Sequence, residues 1–183
     1  MITAGHCSQF HSDDFDIYPT GTGVGPLSTN YWVPGTENDF LTIYVPDGAI
    51  PYVWGAGTSL HPVQAALLPA KGSAMTFNGA VTGEIPGNTV TAVNATDMNV
   101  EDSNSGRVYN IYPVVQATPP QSTVSCQKGD SGGPAYVRTP SSPVDAVGSI
   151  AAFFGGVGIT LLCSAQQIGY EEATSNTTLM TTG

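Results

Sequence analysis

Punctuation constrains this sequence most. Short runs rich in Val, Ile, Ala, Thr and aromatic residues recur at Phe40–Val45, Ala74–Phe77, Thr89–Val93, Val108–Val115, Ala135–Val137, Ala146–Phe154 and Ile159–Cys163. Clusters of Gly, Pro, Asn and Asp separate them, as at Pro19–Pro26, Pro34–Asn38, Asn94–Gly106 and Thr139–Pro143. A chain broken this often cannot sustain long helices, because Pro lacks the amide donor and Gly costs too much order. Short strands between turns imply an all-β sandwich or barrel. The 22 Gly and 14 Pro, beside 21 Thr and 15 Ser, push the same way. The one expected helix covers Ser164–Ala173, where Gln166, Gln167, Glu171 and Glu172 favour it and Gly169 opposes it. His61–Gly72 reads as a connector between two halves, with His61 in a loop before Pro62, and Thr174–Gly183 as a frayed tail.

The 183 residues suit a single domain. A 40% share of hydrophobic residues is enough for a core, which excludes global disorder. Four Lys and Arg against 14 Asp and Glu give a net charge of −10. That charge repels phosphate backbones and anionic lipid surfaces, so neither nucleic acid nor membrane is an expected partner. No apolar run approaches the roughly 20 residues that cross a bilayer. The three cysteines, Cys7, Cys126 and Cys163, have no zinc-type spacing, and no metal is expected. Asp97, Glu101 and Asp102 invite a calcium reading, but an EF-hand loop needs Gly at its sixth position and Asp102 stands there. That stretch is expected to be a solvated loop, as is His11 with Asp13, Asp14 and Asp16. Asn94-Ala95-Thr96 and Asn176-Thr177-Thr178 are glycosylation sequons, meaningful only in a eukaryotic secretory protein.

Three segments carry chemistry. In Gly129-Asp130-Ser131-Gly132-Gly133-Pro134 a hydroxyl sits on a bare, tight turn. There the backbone N–H groups of Gly129 and Ser131 can converge on one point, because Gly adopts conformations other residues resist. Two such donors beside a nucleophile form an oxyanion hole. In Thr3-Ala4-Gly5-His6-Cys7 a histidine flanked by small residues is free to approach that hydroxyl, which needs a base at neutral pH. In Asn38-Asp39-Phe40-Leu41 an acid opens an apolar run, a costly place unless a partner satisfies it. A histidine whose tautomer must be fixed is such a partner.

The order His6, Asp39, Ser131, with the segments TAGHC and GDSGGP, resembles the chymotrypsin-like serine peptidases. The chain looks most like their bacterial, streptogrisin-type branch. Cys126 five places before Ser131, Asn78-Gly79-Ala80-Val81-Thr82-Gly83 and Gly87-Asn88-Thr89-Val90 carry that closer likeness. The loops Phe10–Gly35 and Asn94–Gln121 match poorly.

The resemblance implies two six-stranded antiparallel β-barrels and a short C-terminal helix. It divides residues 1–183 into an N-terminal barrel over 1–65, a C-terminal barrel and helix over 66–173, and a tail over 174–183. Ser131 is then the expected nucleophile, His6 the general base and acid, and Asp39 the group that orients His6. Gly129 and Ser131 supply the oxyanion hole, and Ala151, Ala152 and Phe153 the substrate-binding edge. A secreted, monomeric endopeptidase acting on peptides or proteins without a cofactor is implied. The alternatives are an inactive binding module on the same scaffold, a truncated fragment, or an esterase, since acyl transfer to water is the same chemistry.

Departures from the family pattern set further expectations. Family members place about three strands before the histidine motif, some 20–30 residues with their turns. Only Met1, Ile2 and Thr3 precede Ala4, so the N-terminal barrel is expected to be truncated and Cys7 to lack its disulfide partner. The resemblance allows Cys126 to pair with Cys163, although connectivity does not follow from sequence. A Phe153 pointing inward would close the primary pocket, and Ser125 puts no acid at its base. Bacterial members often pair the acid before the nucleophile with an arginine near Phe77–Asn78. That arginine is absent, leaving Arg107, Arg138 or an upstream residue to replace it.

Overall fold

Two sheets are laid down in chain order. The computed structural model describes residues 1–9, 14–17, 22–33, 36–46, 48–57, 59–102, 105–120, 123–139, 143–155 and 162–182. The first sheet takes β1 (Ile2–Thr3), β2 (Asp14–Ile17), β3 (Thr22–Asn30) and β4 (Leu41–Ile43) in the order β1-β4-β3-β2. All its pairings are antiparallel. Leu41 and Ile43 are buried on one face against Val24 and Leu27, the alternation expected of a strand with one face in the core. A 3₁₀ turn, Gly5–Gln9, follows β1 directly.

The second sheet contains β5 (Tyr52–Trp54), β6 (Leu60–Ala66), β7 (Ala74–Gly79), β8 (Gly83–Asp102), β9 (Arg107–Thr118), β10 (Pro134–Arg138), β11 (Val144–Phe154) and β12 (Leu162–Gln167). Its order is β10-β7-β8-β9-β12-β11-β6-β5, and β10 also pairs with β11. Six strands, β7 to β12, therefore pair around a ring that leaves neither β10 nor β11 as a free edge. Met75, Phe77, Val90, Val115, Ala135, Val147 and Ile150 fill it. Burying each of its larger side chains contributes about 1.5–3 kcal/mol. A disulfide joins Cys126 to Cys163 within this core, with Cα atoms 5.8 Å apart. The pairing left open by the sequence is thus made.

Several elements differ from the sequence expectation, each for a physical reason. His61 lies in a strand, since β6 pairs with β5 and, in parallel, with β11. Residues 94–102, expected as loop, continue β8, which keeps pairing with β9 through four register shifts. Asn94 and Asn99 absorb these irregularities at φ of 50° and 55°, left-handed values that Asn tolerates better than most residues. Asp97 and Asp102 are consequently buried, not solvated. Ser164–Gln167, expected as helix, is strand, because Ser164, Ala165 and Gln166 pair with Gln116, Val115 and Val114 on β9. Tertiary pairing outweighs their propensity, and the helix α1 runs over Ile168–Ser175. The expected strand Ile159–Cys163 lies partly outside the described residues, as do His11 and Asp13.

Candidate active site

His6, Gly129, Ser131, Ala151, Ala152 and Phe153 line one cleft, and Asp39 is bonded to His6. Asp39 is fully buried just ahead of β4, and His6 lies in the 3₁₀ turn after β1. The pairing of Thr3 with Leu41 brings the two segments together. His6 Nδ1 lies 2.8 Å from Asp39 Oδ2 and 3.0 Å from Oδ1. The backbone N–H of His6 donates to Asp39 Oδ1 at 2.9 Å. These contacts hold Nδ1 against the acid and leave Nε2 as the ring nitrogen not bonded to Asp39. Burial of the imidazole opposes its charged form, but the Asp39 hydrogen bond and charge, with Asp102 adding to them, outweigh it. The net effect raises the basicity of His6 above the ordinary value of 6.5.

A residue from the other sheet fixes Asp39. The backbone N–H of Asp39 donates to Gln166 Oε1 at 2.8 Å. The Gln166 amide in turn donates to the carbonyls of Glu37 at 3.1 Å and Tyr112 at 3.0 Å. Asn38 Oδ1 accepts from the Tyr170 hydroxyl of α1 at 2.7 Å. Sequence reading missed Gln166, since a glutamine 127 places from its partner carries no local signal.

Ser131 sits on a turn that the backbone clamps to β11. Gly132 N–H donates to Ile150 O and Ile150 N–H to Gly133 O, both at 2.8 Å. Gly129 and Gly132 adopt φ of 96° and 82°, values an L side chain resists, and a Cβ on Gly132 would lie 1.8 Å from Thr3 Oγ1. Gly133 and Asp130 spend their N–H groups on backbone carbonyls at 3.0 and 3.1 Å. Ser131 and Gly129 both line a cleft of about 410 Å³ together with His6.

Asp130 is buried and holds this turn in place. Its Oδ1 accepts the N–H groups of Val81 at 2.7 Å and Thr82 at 2.9 Å. Its Oδ2 accepts the N–H of Gln127 at 2.8 Å and the Thr82 hydroxyl. Neither arginine suggested for this role performs it. Arg107 lies over the Trp32 ring, 4.4 Å from its centre, and Arg138 pairs with Glu84.

The far wall of the cleft is formed by Ala151, Ala152 and Phe153 of β11. The pairing of β11 with β10 ends at Ser149, while that with β12 runs on to Phe154. Ala151–Phe153 thus has β12 on one side and the cleft on the other. Phe153 is 42% exposed at the rim and does not fill the interior. The β8–β9 hairpin adds Val100, Glu101, Asp102 and Tyr109, and Lys128 stands beside Gly129. Tyr109 meets Trp32 edge-on, with ring centres 5.4 Å apart, and Trp32 meets His6 at 6.3 Å. Burial and the charges of Asp39 and Asp102 push the Cys7 thiol up to about 12, so it remains a thiol at neutral pH.

Neither a family model nor a curated protein matches the chain. Solved structures do. One is a glutamic acid specific serine protease described as using a novel histidine triad in substrate binding. It is 24% identical with a TM-score of 0.73, over 98% of this chain and 85% of that one. The chymotrypsin of Cellulomonas bogoriensis is 19% identical with a TM-score of 0.70, over 99% and 85%. Thermobifida fusca protease A is 23% identical with a TM-score of 0.68, over 98% and 83%. The bacterial chymotrypsin-like proteases that the motifs resemble are thus also this chain's neighbours in fold, and its architecture is chymotrypsin-like.

Proposed function

We propose that this chain is a secreted serine endopeptidase. The observation that carries the reading is the bonded pair His6–Asp39 on the same cleft as Ser131 and its glycine turn. The fold it shares with bacterial serine proteases supports it. An extended substrate pairs with the free side of Ala151–Phe153, which brings its scissile carbonyl to Ser131. Ser131 Oγ attacks that carbon and passes its proton to His6 Nε2. Asp39 stabilises the resulting imidazolium, and the N–H groups of Gly129 and Ser131 receive the oxyanion. The tetrahedral adduct collapses as the C–N bond breaks, and the leaving amine takes the proton from His6. Water then attacks the acyl-enzyme, gives a proton to His6 and releases the acid as Ser131 recovers its own. No step calls for a cofactor. The Cys126–Cys163 disulfide suits an oxidising compartment outside the cytosol.

A fluorophosphonate probe tests the reading. It is expected to label Ser131 in the folded protein and to fail on Ser131→Ala and His6→Ala. A folded wild-type protein that takes up no label would refute catalysis and leave a binding module. Matched peptide and ester substrates then separate a peptidase from an esterase.

The pH dependence has a defined sign. Only neutral His6 can accept the serine proton, and Asp39 raises its basicity. The rate kcat/KM should therefore fall on acidification with a midpoint above 6.5, the ordinary histidine value. A midpoint below that value would mean that Asp39 does not act on His6.

A further inference from the structure

Behind the cleft lies a carboxyl group that the mechanism does not use. Glu171, in the first turn of α1, has no exposed surface. Its Oε1 accepts the Ser149 hydroxyl at 2.5 Å, and its Oε2 is buried without a hydrogen-bond partner. Ser149 is the residue of β11 immediately before Ile150, which clamps the Ser131 turn, and before Ala151–Phe153 on the cleft wall. It stands opposite Gln166, which holds the backbone of Asp39. Glu171 therefore touches, through Ser149, the strand that supports both the nucleophile turn and the substrate edge.

Among the described residues, the charges that act on Glu171 are those of Asp39 and Glu172, both negative. From β11 it meets Ser149, from the segment ahead of β4 it feels the charge of Asp39 with His6 beyond, and from α1 itself that of Glu172. Of the other elements packed on α1, β12 carries no titratable side chain except the disulfide-bonded Cys163. The cluster around Ile168 adds β10, whose Tyr136 is bonded to Glu84, and β6, whose His61 lies beside Glu84. An ionised Glu171 would place a second negative charge near Asp39 with one oxygen unsatisfied, which a buried carboxylate cannot sustain cheaply.

We propose that Glu171 is a positioning residue of this site: as the uncharged acid it anchors Ser149 and adds no further negative charge beside Asp39. The proposal rests on the peptidase reading only for its effect on Ser131. Burial pushes the carboxyl up to about 8, with Ser149 hydrogen bonds opposing and the charges of Asp39 and Glu172 adding to it. The unfolded chain ionises this group near 4.5. The folded state thus holds the extra proton between these values, and its stability falls as pH rises through that window.

Two measurements test this, one of them independent of activity. The Glu171 carboxyl carbon, followed by 13C NMR in the wild-type protein, should titrate near 8, and a titration near 4.5 would overturn the proposal. The second measurement is the rate of Ser131 labelling by the fluorophosphonate. In the wild type it should fall about tenfold between pH 7 and pH 9, as the ionised carboxyl leaves its seat. Glu171→Gln, which stays uncharged and keeps its oxygen for Ser149, should hold its rate within about twofold over the same range. Parallel alkaline profiles for the two proteins would also overturn it. Should the wild type never label, the peptidase reading fails, and the carbon titration still decides the state of Glu171.

Discussion

Asp39→Asn should reduce kcat by about four orders of magnitude while the protein still folds. The backbone N–H of His6 donates to Asp39 Oδ1, and Nδ1 lies against Oδ2. In the variant the amide oxygen keeps the backbone bond, which turns the amide nitrogen toward Nδ1. A donor facing Nδ1 forces that nitrogen to accept, so the proton moves to Nε2. Nε2 can then no longer take a proton from Ser131, whatever the distance between them. The expected signature is a fall in kcat with KM little changed, because the substrate edge at Ala151–Phe153 is untouched. The acid limb of the pH profile should also move down, since the charge that raises the basicity of His6 is gone. A variant retaining more than about a tenth of wild-type kcat would show that Asp39 only supports the fold.

What could be read from the sequence divides along physical lines. His6, Asp39 and Ser131 stand in short segments whose small neighbours already suggest the use proposed for them, and the strands of the ring follow from β-branched runs between turns. Contacts that depend on distant polar side chains were invisible. Gln166 and Glu171 both read as helix-forming residues, yet one holds the Asp39 backbone and the other is sealed beneath Ser149. Their roles come from β12 pairing as a strand and α1 starting at Ile168. Asn94 and Asn99 misled in the opposite direction. Each is a strong turn signal, and in β8 each serves a bulge that prolongs the strand until Val100, Glu101 and Asp102 reach the cleft. Local preference names a conformation for one residue; only the register with β9 decides whether the chain turns there or continues.

Asp130→Ala should cost about 3 kcal/mol or more of stability, a large part of the 5–15 kcal/mol that holds a typical domain. Three backbone N–H groups, from Val81, Thr82 and Gln127, and the Thr82 hydroxyl all converge on this carboxylate. Removing it strands three donors at about 1 kcal/mol or more each, and the hydroxyl alone can turn away. Asp130→Asn should lose roughly half as much, because its oxygen still serves two N–H groups while its amide nitrogen meets the remaining donors. Urea unfolding midpoints read this order directly, provided the slope stays constant. Both variants should also label Ser131 more slowly, since the same carboxylate fixes the turn on which Ser131 and Gly129 stand. The absence of an arginine from the carboxylate's partners gives a further expectation. Fixed peptide dipoles at hydrogen-bond distance are screened far less than a solvent-facing ion pair, so raising salt from 0.1 to 1 M should leave the Asp130→Ala difference almost unchanged. A difference that collapses with salt would mean that a mobile cation, not the backbone of Val81, Thr82 and Gln127, neutralises Asp130.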